Sequence, residues 1–271
     1  MTTSEMDKLK RYFVLVLLHQ TRPDPMLRKI LPLICFSFIL VSCKKESVSY
    51  KTAAVTDYYP LQVGTHVDYD LDSTLFINFG TKDTVVHWQA RDIIDAQITD
   101  NLGNPSYRVI RYIRKDETQN WQPTETYMVT PFYDRIETVE NNLRYIKLFS
   151  PIVQDFSWNG NKYIDTYSTD NDLNYLDGWD YIYDSVGLPL TLNSLSFDST
   201  VKVFQRDEFL GQDPAIPGTQ YAEKNFAYEK YAKGVGLIYK EFLHWEYQGA
   251  QPGRPAYYEG YGIKLTINNF N

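Results

Sequence analysis

A two-residue alternation of side-chain character runs through this chain from about residue 58 onward, and it leaves few architectures open. Val67, Tyr69 and Leu71 alternate with His66, Asp68 and Asp70, and Tyr107, Val109, Arg111 and Ile113 alternate with Arg108, Ile110, Tyr112 and Arg114. Successive side chains of an extended strand point to opposite faces, so each run presents two different surfaces. Further strand-like runs are Val85 to Ile94, Glu125 to Thr130, Arg135 to Val139, Leu143 to Phe149, Trp179 to Val186, Ser199 to Arg206, Gly236 to Tyr247 and Tyr261 to Asn268. Turn formers separate them: Asp100 to Pro105, Asn159-Gly160, and Asp213 to Gly218. Tyr221 to Ala232 is the one segment with a helical reading.

Short connections between two-sided strands favour antiparallel pairing, because a parallel pair needs a crossover of a dozen residues or more. No composition break divides residues 57 to 271. The expectation is therefore all-β: one large, curved antiparallel sheet, half barrel or barrel-like, with at most one or two short helices. Beyond residue 42 the chain holds 22 of its 23 Tyr, 11 of its 14 Phe and all five Trp. Wide aromatic side chains suit a pleated surface with one wet end. They either line a concave face or fill a core between sheets.

The N-terminal region carries a different signal. Arg28 and Lys29 precede an apolar run from Ile30 to Val41, and Leu40-Val41-Ser42-Cys43 has the order of a lipobox. The twelve residues of that run reach only about 18 Å as a helix, short of a hydrocarbon core of roughly 30 Å. Pro32 weakens a spanning helix further. The layout predicts a lipoprotein signal peptide over residues 26–42, cleavage after Ser42, lipidation of Cys43, and a polar lipidated tether over 43–56. Met26 opens a better signal than Met1, so residues 1–25 read as an over-extended N-terminus. Lys44, in place of an Asp after the lipidated Cys, favours passage to the outer membrane, with periplasmic-facing and cell-surface placement both open.

Cleavage at that point removes six basic and three acidic residues from totals of 27 and 34, leaving 21 and 31 and a formal charge near −10. Such a balance disfavours nucleic acid, whose phosphates need a basic face. Cys35 and Cys43 are the only cysteines, so no disulfide is expected in the domain. A chain of this length buries about 70% of its unfolded surface and needs none.

Tyr58-Tyr59-Pro60-Leu61-Gln62-Val63-Gly64 followed by Val67-Asp68-Tyr69, the segment from Tyr145 to Trp158, and Tyr231 to Ile238 together span most of the domain. In these landmarks the chain resembles a family of uncharacterised envelope lipoproteins of Gram-negative bacteria, whose usual opening carries Trp where Val67 stands. The family has no assigned activity, so the resemblance implies no site residues. Pro60, Gly64, Gly234 and Gly236 read as punctuation of a sheet.

Candidate chemistry is thin. Asp170-Asn171-Asp172-Leu173-Asn174 begins like a calcium loop, but Tyr175 stands where the sharp turn needs Gly and Tyr181 where a Glu should close the shell. Asp165, Asp177, Asp180 and Asp184 leave a non-standard site open. His66, His87 and His244 lack zinc-ligand spacing, no GxSxG elbow is present, and no carboxylate spacing marks an acid/base pair. The five Trp could stack on sugars or serve as buried and edge aromatics. The expectation is a non-enzyme without metal or cofactor: a lipid-anchored outer-envelope binding or scaffold module with its ligand site unknown. A carrier or chaperone for lipids or lipoproteins, and a surface glycan-binding protein, are the alternatives. Its partners would be the membrane, through the anchor, and a lipid, glycan or envelope protein.

Overall fold

The computed structural model describes residues 52–168 and 171–271. The expected signal peptide, Ser42, Cys43 and most of the tether lie outside the described residues. Twelve strands follow in order: β1 (His66–Ile77), β2 (Lys82–Thr99), β3 (Pro105–Arg114), β4 (Gln122–Pro131), β5 (Arg135–Glu140), β6 (Leu143–Phe149), β7 (Ser157–Asn159), β8 (Asp180–Leu192), β9 (Leu195–Gly211), β10 (Tyr221–Ala232), β11 (Gly236–Gln248) and β12 (Tyr257–Phe270). Two single-turn 3₁₀ segments, Val55–Asp57 and Asn174–Leu176, complete the described elements.

All the strands belong to one antiparallel sheet in the order β6-β5-β4-β3-β2-β1-β12-β11-β10-β9-β8-β7. The sheet is nearly closed and barrel-shaped, as the alternation predicts. Its two edges approach each other: the Ile146 amide donates to the Gly160 carbonyl at 2.8 Å, and Trp158 Nε1 donates to the Ile146 carbonyl at 2.8 Å. Closure of this kind removes most of the exposed edge that a sheet would otherwise present to other chains.

Tight turns set the register. Asn141 and Asn142, both at positive φ (52° and 63°), join β5 to β6 around the pair Glu140 and Leu143. That is the two-residue loop whose twist matches its flanking strands, and Asn tolerates it better than most residues. In the Asp100 turn, one carboxylate oxygen accepts from the Leu102 and Asn104 amides.

Two expectations need correction. Tyr221–Ala232 is not a helix but the central strand β10, paired on both sides and buried at alternate positions Glu223, Asn225, Ala227, Glu229 and Tyr231. Its Ala, Glu and Lys content favours helix, yet two neighbouring strands decide the conformation. The 43–56 tether also ends early. Val55 is 1% exposed within the core, Ala53 packs against it, and the Gly234 amide donates to the Asp57 carbonyl at 2.7 Å. This segment packs into the barrel end near the start of β1. Gly64, at φ 93°, then turns the chain into β1, with its amide bonded to the Ile94 carbonyl.

Candidate functional site

The interior is filled in part by aromatic side chains. Trp158, Trp179, Tyr181, Tyr183 and Tyr231 are buried in the main core cluster. Charged residues interrupt this apolar lining at the two-residue period. Glu229 stands between Ala227 and Tyr231, Lys240 between Ile238 and Phe242, and Lys147 follows Tyr145 on β6. Both Glu140 and Glu229 lie within ion-pair distance of both lysines, at 3.5 and 2.9 Å from Lys147 and 3.3 and 3.8 Å from Lys240. The four charges form a closed ring inside the barrel. Thr138 Oγ1 braces Glu140 at 2.9 Å, and the Tyr231 hydroxyl braces Glu229 at 2.6 Å.

Burial alone would raise both carboxyl pKa values, but Lys147 and Lys240 outweigh it and hold both below the ordinary carboxylate range. Burial would likewise lower Lys147, and Glu140 and Glu229 hold it well above its usual value. Glu140, Glu229 and Lys147 are thus ionised at neutral pH. Next to it, Arg111 grips Asp92 through two bonds of 2.7 and 2.6 Å, the Tyr127 hydroxyl donates to Asp92 at 3.0 Å, and Glu125 receives a long 3.4 Å contact from Arg111.

Between this polar band and the Asn174–Leu176 turn lies a cavity of about 200 Å³. Trp179, Phe242 and Tyr261 form a continuous aromatic wall, with ring centroids 6.2 and 5.1 Å apart. Tyr175 stacks on His244 at 3.8 Å, which fixes the loop over the lumen. Exposed Asn141 and exposed Tyr261 also line the cavity.

Gln205 lines the same cavity and is only 5% exposed, yet its amide nitrogen has no hydrogen-bond partner among the described residues. A buried polar group left in this way costs about 1–3 kcal/mol. The backbone explains how it arrives there. Register between β9 and β10 passes from Arg206 opposite Ala227 to Phe204 opposite Tyr228, leaving Gln205 as the extra residue of a bulge. A similar shift between β5 and β6 leaves Lys147 unpaired and turned inward. Bulges re-aim side chains in this manner.

A second cavity of about 330 Å³ lies among the segment around Tyr59 to Thr65, strands β1 to β4, the start of β11 and the end of β12. Its lining includes Val67, Tyr69, Ile94, Val109, Leu237 and Phe270.

Asp170 of the calcium-like loop lies outside the described residues, and several of the other candidate ligands have partners of their own. Asn171 accepts the Leu173 amide, Asp165 the Tyr167 and Ser168 amides, and Asp177 the Thr166 hydroxyl, while Asp184 pairs with Lys202. No group of three or more metal-ligating side chains assembles among the described residues. His87 pairs with Asp72 and His244 with Asn225, far apart in the sheet register. Trp158 and Trp179 are buried, whereas Trp121 is flanked by Arg91 and Arg114 at 4.7 and 4.4 Å.

The sequence reading did not single out Arg111, Glu125, Glu140, Lys147, Gln205, Glu229 or Lys240 as site residues. The signal that marks several of them is a charged or amide side chain at every second position of an otherwise apolar strand face. Comparison with protein-family models, curated proteins and solved structures finds no match to this chain.

Proposed function

We propose that this chain is a lipid-anchored lipoprotein of the outer envelope, joined to the membrane through Cys43, and that its barrel is a non-enzymatic binding module. The observation that carries the binding reading is the lumen cavity where Gln205, the extra residue of a bulge, has an unpartnered amide. Pre-formed concave sites with an apolar wall and a few fixed polar groups are the usual form of small-ligand pockets. Glu140 and Glu229 are held ionised, so neither is a proton donor near neutral pH, which favours binding over acid catalysis. The lipobox order and the envelope-lipoprotein resemblance support the anchor.

Native mass spectrometry of the full chain isolated from a bacterial envelope tests the binding reading. A reproducible bound mass, lost on denaturation, is the expected result, and a clean apo mass sinks it. For the anchor, Cys43→Ala should move the protein from the membrane to the soluble fraction. Retention of that variant in the membrane removes the lipidation reading. The carrier alternative is favoured by the second cavity, with its mostly aliphatic and aromatic lining, and it predicts that the bound mass is an acyl lipid.

A further inference from the structure

We infer that the lumen cavity binds one neutral pyranose ring, either as a free monosaccharide or as the end of an envelope glycan. This rests on the binding-module reading and adds the ligand class to it.

Size is the first argument. At about 30 Å³ per water molecule, a space of this volume holds roughly seven waters. That matches one sugar ring with its substituents and falls well short of a long acyl chain.

Charge is the second. Three cations, Arg111, Lys147 and Lys240, and three carboxylates, Glu125, Glu140 and Glu229, line the cavity, and Asp92 outside it also holds Arg111. The cations are already engaged by carboxylates, and the lining carries no excess positive charge. A fatty-acid carboxylate, a phosphate or a uronic acid would therefore be desolvated there without a free positive partner. A neutral ligand meets no such cost.

Complementarity is the third. Phe242 and the exposed Tyr261, backed by the buried Trp179, supply aromatic surface for the C–H side of a pyranose. In the same lining, sugar hydroxyls find acceptors in Glu125, whose contact with Arg111 is long, and a donor in the Gln205 amide. Hydroxyl groups both donate and accept, which suits a lining of carboxylates and one amide. Nothing in an acyl chain would satisfy Gln205.

The test is titration of the full chain, held in a detergent without a sugar head group, with methyl glucopyranoside, methyl galactopyranoside, lactose, glucuronate and palmitate. Heat and tryptophan emission are the readouts, since Trp179 lies in the wall. At least one methyl pyranoside should bind saturably. Lactose binding as well marks a site for glycan ends, and its exclusion marks a site for single sugars. Gln205→Leu should weaken binding at least tenfold with no loss of melting temperature, because it removes an unpartnered amide. Tyr261→Ala, at the exposed rim, should weaken it independently. Binding of palmitate or glucuronate in preference, unaffected by Gln205→Leu, overturns the pyranose assignment and leaves a binding module. Failure of all five probes overturns the pyranose assignment alone when a bound mass is still seen on the envelope-derived protein. A clean apo mass in addition removes the binding reading too.

Discussion

Lys147 is the residue on which the interior electrostatics turn. It is 5% exposed and touches both Glu140 and Glu229. Replacing it with Met leaves two buried carboxylates to share Lys240, and removal of one partner from a buried ion pair costs about 3–5 kcal/mol. A loss of that size in urea-unfolding free energy is the expected outcome for Lys147→Met. The pH dependence has a definite sign. Glu140 and Glu229 have folded pKa values below the ordinary 4.5, so the unfolded chain takes up protons first as acid is added. Their contribution to stability is complete above about pH 5 and is lost as pH falls toward the depressed folded values. His244 adds in the same direction over a higher window. Burial lowers its pKa, partly offset by Glu223, so stability declines as pH falls below about 6.5, the ordinary histidine value. Melting temperature measured from pH 8 to 4 should fall at both stages, and His244→Gln should flatten the first. These residues were hard to single out in the sequence because strand faces are normally read by their apolar members. A Lys or Glu on an inward position looks like a solvated one until the neighbouring strands supply its partner.

Most strands were legible because their two faces differ. β10 was not, since both of its faces carry polar groups and its residues favour helix in isolation. The N-terminal segment is the second failure, and its cause is length. Val55 inserts into the core from a single turn, with no periodicity for a pattern to reveal. Val55→Ala should cost about 1–3 kcal/mol in chemical unfolding, as buried aliphatic truncations do, whereas an exposed tether would show no change. The β5 to β6 turn offers a check on register. Asn142→Gly should be neutral or mildly stabilising, and Asn142→Val destabilising by about 1–2 kcal/mol, because a β-branched side chain resists positive φ. Thermal unfolding of the two variants distinguishes these outcomes. Gln205 follows buried Val201 and Val203 on one face of β9, but an amide at such a position looks solvated until the neighbouring strands are in place.

At the scale of the molecule, the sheet closes along a seam where β6 meets the β7 end through Ile146, Trp158 and Gly160. Trp158→Phe keeps the ring and removes the Nε1 bond to the Ile146 carbonyl. Amide exchange at Ile146 should then quicken, while amides between β1 and β12 keep their protection. Equal protection in both proteins would mean that the tryptophan does not hold the seam.

Strand order also has a consequence for how the chain becomes a barrel. β1 to β6 form one run of neighbouring hairpins and β7 to β12 another, and the two runs join mainly where β1 pairs with β12. That junction brings together residues about as distant in sequence as the domain allows: the His66 amide reaches the Asn271 side chain at 2.7 Å. Each half can assemble from local contacts as it emerges, but the loop-closure cost of the central junction falls at the end. A chain stopped short of β12 would hold two half-sheets with open edges and no lumen. Arrival of the last strand is therefore the event that converts two ribbons into a container.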